Sequence, residues 1–352
     1  MTNACQPNDV DGHDLIRAAA GLTRDLNRAN PVIFWTDLLA SVLLGYGALA
    51  LACMTGGSVR LVAGAVAVLA LYRAESFIHE LTHLKPTTVR GFRTAWNVLV
   101  GIPMMVPSFL YEGVHNLHHA RTRYGTAQDP EYLPLAGMSR WALPPFVLLS
   151  LLTPLLLLVR FAVLAPLSLY AAPVRRIVVE RWSALTINPA FRRRPPDGAF
   201  RRRWLIQESA TSLWAIATVG LTIAGWIPVR VALTCLATVS VIACLNQVRT
   251  LAAHLWEGDG TPFDVTAQYL DSVNVPPPAL LPMLWAPVGL RYHALHHLLP
   301  GIPYHALGEA HRRLSASLPT GSPYAGGNHR SLPALLTRLW QADRAVGRPP
   351  PT

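Results

Sequence analysis

Charged residues are scarce in this chain, and lysine is almost absent. Of 352 residues, 14% are charged and 51% are hydrophobic, whereas a typical soluble domain carries about 25% charged residues. This composition and the positive mean hydropathy favour an integral membrane protein. Lys85 is the single lysine, and the net charge of +11 comes from arginine runs that flank apolar segments. We therefore expect these charges to set membrane topology and not to bind nucleic acid.

Cysteine is also sparse, which argues against a disulfide framework. The four cysteines show no C-x-x-C spacing, and three of them lie in apolar segments, where a free cysteine behaves as a small hydrophobic residue. No fused cytochrome b5 or ferredoxin-like motif is present. The polar first 30 or so residues predict no cleavable signal peptide.

Four apolar segments are each close to the ~20 residues that a transmembrane helix needs. They lie at about 32–54, 59–78, 204–226 and 229–246 and form two hairpins. Residues 13–29 have the pattern of an amphipathic helix that lies on the membrane. A polar tail is expected over 316–352. The prediction is thus an all-α integral membrane protein with a cytosolic N-terminal segment (1–31), a membrane domain (32–315) and a histidine-rich cytosolic cap.

Two further apolar segments are interrupted by proline. Residues 94–110 are expected to be interfacial or re-entrant. Residues 141–172 contain four prolines and Arg160, and are expected to enter and leave on one side, as a kinked hairpin or an interfacial pair. A single crossing there would separate the histidine motifs described next. The arginine-rich connectors fall on the side of these motifs, which predicts that this side is the cytoplasm, in a bacterial cytoplasmic membrane.

Histidine is concentrated in three short motifs. They are His79-Glu-Leu-Thr-His83, His115-Asn-Leu-His118-His119 and His293-Ala-Leu-His296-His297, and the last two repeat one spacing about 180 residues apart. Positions i, i+3 and i+4 share a helix face, so each motif is expected to project its imidazoles toward one point. Eight imidazoles exceed what one tetrahedral zinc needs and suit two metal ions with open positions.

Two other functions fit part of this pattern. The first motif matches the zinc-protease pattern H-E-x-x-H with Glu80 as base, but a protease would leave both H-x-x-H-H motifs unexplained. A metal transporter would place its ligands at mid-membrane, whereas these motifs follow the apolar segments. His254 lies about two turns after the fourth segment and is a further ligand candidate, whereas His305 and His311 are not expected to bind metal.

Two apolar segments, H-x(3)-H, H-x-x-H-H, two more segments and a final H-x-x-H-H resemble the membrane fatty acid desaturase superfamily, from about residue 32 to 315. Its members include desaturases, hydroxylases and carotenoid oxygenases. Gln128-Asp-Pro-Glu-Tyr132, Arg249-Thr-Leu-Ala-Ala-His254 and the run from His296 to His305 are similar to bacterial members. Related acyl-CoA desaturases have an asparagine one turn before the isolated histidine, where this chain has Thr250.

The resemblance implies a non-haem di-iron centre with O2 as co-substrate. The matching ligands are His79, His83, His115, His118, His119, His254, His293, His296 and His297. Acidic groups are expected to orient the outer ring nitrogens of such ligands. The candidates are Glu75, Glu80, Glu112 and Asp129, although each has the alternative of being a solvated surface acid.

The expected activity is O2-dependent desaturation of a fatty-acyl chain, with lipid hydroxylation or a carotenoid-type oxygenation as the alternative. Both begin with hydrogen abstraction, so the histidine motifs do not choose between them. The acyl substrate is expected to occupy an apolar tunnel. Electrons must come from a separate donor, and the basic face suits an acidic ferredoxin or a similar carrier.

The topology can be tested by labelling single cysteines from each side of the membrane. Probes at Arg90, Asp197 and Gly308 should react from the cytoplasm, and probes at Gly57 and Pro228 from the opposite side. Labelling of the arginine-rich stretch 175–203 from the periplasm would contradict both the topology and a shared metal site.

Overall fold

The computed structural model describes residues 7–133, 135, 138–319 and 321–341. Within these ranges every regular element is helical, and β-pairing is limited to isolated bridges such as His254 with Ser272. The all-α prediction is confirmed. The described residues form two compact units: unit 1 comprises those within 1–30, 117–142 and 249–352, and unit 2 comprises those within 31–116 and 143–248.

The α-helices of the described residues follow one another with short 3-10 and π-helical turns between some of them. They are α1 (Pro7–Leu22), α2 (Pro31–Met54), α3 (Gly57–His83), α4 (Phe92–Trp96), α5 (His115–His118), α6 (Leu143–Leu148), α7 (Thr153–Leu158), α8 (Ala165–Tyr170), α9 (Ala172–Arg181), α10 (Gly198–Ile223), α11 (Val229–Ala253), α12 (Val265–Asp271), α13 (Pro282–Trp285), α14 (His293–Leu298), α15 (Leu307–Ser317) and α16 (Leu332–Gln341).

Four helical segments of the described chain are long and apolar enough to cross a membrane. They are Pro31–Met54, Gly57–His83, Arg140–Tyr170 and Val229–Ala253. The number of candidate spans agrees with the sequence prediction, but one of the four is a different segment: Arg140–Tyr170 takes the place of 204–226. The helix that contains the predicted span 204–226 is α10, and it is less apolar because it carries the arginines 201–203, Gln207 and Glu208 in its first half.

The segment around Arg160 is one continuous helical run instead of the hairpin that was one of its two expected forms. From residue 140 to 170, α6, α7 and α8 are joined by 3-10 and π-helical turns without a reversal of the chain. Pro154 and Pro166 stand at the start of α7 and α8, where proline is tolerated because the first amides of a helix have no partner within it. The interfacial form of this segment stays a prediction.

A buried ion pair explains the polar residues in these apolar helices of unit 2. Arg160 is 1% exposed, and its guanidinium binds Glu208 on α10. Arg160 also donates to the carbonyl of Trp182 at 2.7 Å and to Ser183 Oγ at 3.0 Å. The second carboxylate oxygen of Glu208 accepts from Arg175 at 2.7 Å. The charge in the apolar segment is therefore balanced inside the protein.

Unit 2 fixes the chain immediately before the second histidine motif. Gln207 accepts the amide of Phe109 at 2.9 Å. Arg193 donates to the carbonyls of Phe109 at 2.7 Å and Glu112 at 2.6 Å. The Glu112 side chain binds Arg93 at 2.9 Å. The backbone that leads into His115 is thus held by side chains from both halves of the unit.

Both ends of the described chain pack into unit 1. Leu15 and Ala19 of α1 are buried in one apolar cluster with Leu314 of α15. The apolar face of 13–29 therefore covers protein at these positions, and its contact with the membrane stays a prediction. Within the predicted polar tail, α16 buries Leu335 and Leu339, while residues 342–352 lie outside the described ranges.

The third histidine motif is held in place by Asn274, which is fully buried. Its side-chain oxygen accepts the amide of Leu295 in α14 at 2.9 Å, and its side-chain nitrogen donates to Asn328 at 3.1 Å. Gly289 precedes α14 at φ +73°, where an added Cβ would lie 2.8 Å from Leu307 and 2.9 Å from Tyr304. This turn needs glycine both for its conformation and for its space.

The Arg160–Glu208 pair predicts a large effect on stability. Glu208→Gln should lower the free energy of unfolding by about 3–5 kcal/mol, because it leaves the Arg160 charge buried without a carboxylate. Arg176→Gln breaks the exposed pair with Glu180 and should cost no more than about 0.5 kcal/mol. Thermal unfolding in detergent micelles measures both, and equal melting temperatures would refute the structural role of the buried pair.

Candidate metal centre

The three histidine motifs occupy helix ends and short helices. His79 and His83 lie in the last two turns of α3, the second motif begins with α5, and the third motif lies within α14. The spacing i, i+4 places His79 and His83 on one face of α3, as predicted.

In unit 2, the two histidines of α3 lie against His115. The ring centroid of His79 is 4.5 Å from that of His115 and 5.3 Å from that of His83, and the His83–His115 separation is 5.1 Å. Tyr111 lies one turn before His115, and its hydroxyl is 2.8 Å from His115 Nδ1. That contact orients the ring and leaves Nε2 for another ligand or ion.

In unit 1, four buried imidazoles form a second cluster. Their ligand atoms all lie within 4.8 Å of one another, and the residues are His118, His254, His293 and His297. His293 Nε2 is 3.1 Å from His254 Nε2 and 3.2 Å from His297 Nε2. The isolated histidine predicted from its position after the fourth apolar segment therefore lies among the histidines of the motifs.

The remaining two histidines form a pair in unit 1. His119 Nε2 and His296 Nε2 are 3.2 Å apart. In the third motif the rings of His293 and His297 are 4.6 Å apart, but each lies more than 6 Å from the ring of His296. The expectation that each H-x-x-H-H converges on one point is therefore wrong. Adjacent residues differ by about 100° around a helix, which directs His296 and His297 to different neighbours.

The four-histidine cluster fits a transition-metal ion. Metal–nitrogen bonds of about 2.1 Å place neighbouring ligand nitrogens roughly 3.0–3.4 Å apart, and the two Nε2 separations at His293 fall in that range. Imidazole is a suitable ligand for iron. Four nitrogen ligands would leave further coordination positions of such an ion available.

Asp129, one of the acidic candidates from the sequence, lies beside His118. Both of its carboxylate oxygens are 3.0 Å from His118 Nδ1. The amides of Gly125 and Glu131 donate to the same carboxylate at 3.2 and 2.8 Å. Burial opposes a charge on His118, but Asp129 outweighs it and raises the pKa of the imidazole. Such contacts fix the ring and make the other nitrogen more basic.

His254 is oriented by residues that no sequence signal identified. Tyr124 places its hydroxyl 2.8 Å from His254 Nδ1 and donates to Asp271 at 2.8 Å. Tyr132 also donates to Asp271, at 3.3 Å. Tyr132 belongs to the Gln128–Tyr132 segment that is similar to bacterial members of the family. Tyr124 and Asp271 carry no motif, and Tyr124 is 130 positions from His254, so only the fold reveals their role. The contact of Tyr111 with His115 could have been predicted from the sequence, because Tyr111 lies four residues before His115.

Burial favours the neutral form of two members of the cluster. It lowers the pKa of His254 well below the usual range, and the neighbouring His118 and Arg249 act in the same direction. Burial also lowers the pKa of His297, together with the four imidazoles around it. Neutral imidazoles bind metal without first losing a proton, so these two histidines are prepared for an ion at physiological pH.

The other acidic candidates lie in different surroundings. Glu80 is buried beside His79, with 3.7 Å between a carboxylate oxygen and Nδ1. Glu112 binds arginines, as described above, and Glu75 is half-buried and forms no hydrogen bond with any described residue. His305 accepts the amide of Asn30 at 3.0 Å, and His311 lies 2.9 Å from the hydroxyl of Tyr324. Both of these histidines have structural partners of their own.

Comparison with known proteins assigns the class. Residues 52–327 match the model of the fatty acid desaturase family, and the chain belongs to that family. It is 48% identical over 334 residues to a protein of Caulobacter vibrioides (strain NA1000 / CB15N) named ceramide hydroxylase, covering 94% of each chain. No solved structure matches. Family membership confirms the predicted resemblance, and it argues against the peptidase alternative for the first motif.

Substitution of single histidines tests whether His254 is a metal ligand and His305 is a structural residue. His254→Ala should lose bound iron and turnover as completely as His296→Ala, because it removes one of four clustered ligands. His305→Ala should keep iron near the wild-type content, since its ring contacts the Asn30 amide. Iron is measured on purified protein by elemental analysis. Wild-type iron and activity in His254→Ala would exclude it from the ligand set.

Proposed function

We propose that this protein is a membrane hydroxylase that inserts one oxygen atom from O2 into a ceramide-type lipid. The observation that carries the proposal is the 48% identity, over 94% of both chains, to the ceramide hydroxylase. The clustered histidines are suited to bind the iron that such a hydroxylation requires. Hydroxylation was the alternative in the sequence analysis, and the relative favours it over desaturation.

The proposed ligand set divides by unit. His79, His83 and His115 come from unit 2, and unit 1 provides the four-histidine cluster and the pair His119–His296. These nine residues are proposed to hold two iron ions. When bound, the irons supply the oxidising chemistry with O2 that an unactivated C–H bond requires.

The overall reaction consumes two electrons and two protons from outside the chain. In hydroxylation, R–H, O2, two electrons and two protons give R–OH and water, so one oxygen atom enters the product. In desaturation the same inputs remove two hydrogens and release two waters. The electrons are proposed to come from a separate carrier such as a ferredoxin.

The contribution of the protein is to fix and shield the ligands. Asp129 holds the outer nitrogen of His118, and Tyr124 holds that of His254, so neither ring has to reorient during turnover. His118, His254, His293 and His297 are all at most 4% exposed. Exclusion of water from this region protects the reactive site from side reactions and strengthens the electrostatic contacts around it.

Membrane location and orientation complete the proposal. Helices long and apolar enough to cross a membrane support a membrane location, where a ceramide-type substrate resides, and the arginine-rich connectors support a cytoplasmic face for the histidine motifs. A cytoplasmic site gives a soluble electron carrier access to the enzyme. The bacterial cytoplasmic membrane fits this arrangement and the source of the relative.

Lipid mass spectrometry under 18O2 tests the reaction. Expression in a ceramide-producing host with a suitable donor should convert ceramide to a product with one additional oxygen atom, carrying the 18O label. The His296→Ala variant is the inactive control. A product that lacks two hydrogens and carries no label would establish desaturation, and a modified phospholipid with unchanged ceramide would reject the substrate class.

A further inference from the structure

Exposed apolar side chains in unit 1 are concentrated in one loop. In the described part of the unit, the large hydrophobic residues with high exposure are Trp141, Leu270, Leu280, Leu281, Met283 and Leu284. Four of these six lie within five consecutive residues, which we name the 280–284 loop. Leu280 is 75% exposed and Leu281 is 70% exposed. A cluster of this kind on a folded surface marks a contact with another apolar phase or partner.

The loop is held in a fixed conformation. Arg291 donates to the carbonyl of Val275 at 2.9 and 2.7 Å and to the carbonyl of Ala279 at 2.7 Å. Prolines 276, 277, 278 and 282 further restrict the backbone. The exposed leucines are therefore presented by an ordered scaffold, and little conformational entropy remains to be lost when they bind.

Charge around the loop favours a lipid surface as its occupant. Residues 272–290 contain no charged side chain. Arg330 lines the same groove as Leu280 and Leu281. It is exposed, and within the described ranges it forms no hydrogen bond or ion pair. An exposed apolar surface with an available cation beside it matches the acyl region and the phosphates of a bilayer.

The connection to a membrane-spanning candidate points to the same occupant. The amide of Val273 donates to the carbonyl of Ala253, the last residue of α11, at 2.9 Å. From Val273 to Leu280 the chain advances seven residues, which reach at most about 25 Å. The loop therefore lies within about 25 Å of Val273, which is hydrogen-bonded to the end of an apolar helix that is long enough to cross a membrane. Lipid headgroups are expected at the end of such a helix.

We propose that the 280–284 loop inserts into the headgroup region of the bilayer, with Arg330 bound to lipid phosphate. Leu280, Leu281, Met283 and Leu284 enter the upper acyl region, and the loop anchors unit 1 to the membrane surface. This surface is independent of the ligands and of the reaction proposed for the metal centre.

Depth-dependent fluorescence quenching tests the insertion. Single-cysteine proteins with Leu281→Cys or Leu284→Cys are labelled with an environment-sensitive dye in nanodiscs of phosphatidylcholine and phosphatidylglycerol. The matched control is Ala316→Cys, an exposed position on α15 of the same unit. Lipids with a shallow nitroxide should quench the loop probes at least three-fold more than the control. Equal quenching at 281 and 316 would overturn the proposal.

Aqueous iodide distinguishes lipid from a protein occupant. Loop probes should resist iodide in nanodiscs and become accessible when the protein is transferred to a detergent with a short chain. Protection from both iodide and lipid nitroxide, with a dimer in solution, would assign the surface to a second copy and refute lipid insertion.

Two further substitutions, at positions that do not carry the dye, test the contribution of single side chains to membrane binding. With the dye at Leu284→Cys, adding Leu281→Gln should reduce nitroxide quenching by at least half. Arg330→Gln should remove the increase in quenching that phosphatidylglycerol produces, whereas Arg312→Gln, at an exposed arginine paired with Glu309, should keep it. An unchanged phosphatidylglycerol dependence in Arg330→Gln would exclude the proposed phosphate contact.

Discussion

The close approach of neutral imidazoles is the constraint on which the rest of this structure depends. Three rings with Nε2 atoms about 3 Å from a neighbour, and a fourth beside them, cannot carry several protons in a buried site, because the charges would repel one another without water to screen them. In His118 and His254 a group outside the cluster must therefore hold Nδ1 so that Nε2 is directed inward. The carboxylate of Asp129 and the hydroxyl of Tyr124 meet that need.

Much of the site could be predicted from spacing alone, because helix geometry is local. The pairs His79/His83 and His293/His297 lie together as i, i+4 neighbours should, and the position of His254 after the last apolar segment was sufficient to select it. The division of the motifs between clusters was not predictable, since it depends on which neighbour each ring meets. Tyr124 and Asp271 belong to distant sequence positions and carry no pattern of their own.

The fold shows a similar limit. Helix positions followed from apolar length, but an amphipathic pattern is the same whether the apolar face covers protein or lipid. Leu15 and Ala19 consequently proved to face α15. The charge of Arg160 made it uncertain from the sequence whether the apolar run around it is one long helix. Its partner Glu208 lies 48 residues later in the chain, so the run itself does not show how the charge is compensated. Two charges that are far apart in the sequence become partners only in the folded chain, so a short stretch of sequence does not reveal the pair.

The order in which the segments of unit 1 occur along the chain has a consequence for biosynthesis. His118 is translated before most of unit 2, whereas His293, His297 and the Asn328 contact that supports Asn274 come from the last quarter of the protein. The ribosome must therefore complete all the long apolar helices before the four-histidine cluster can close. Under the proposed function, metal loading is therefore a late event, and an interrupted translation product contains proposed ligands that have not come together.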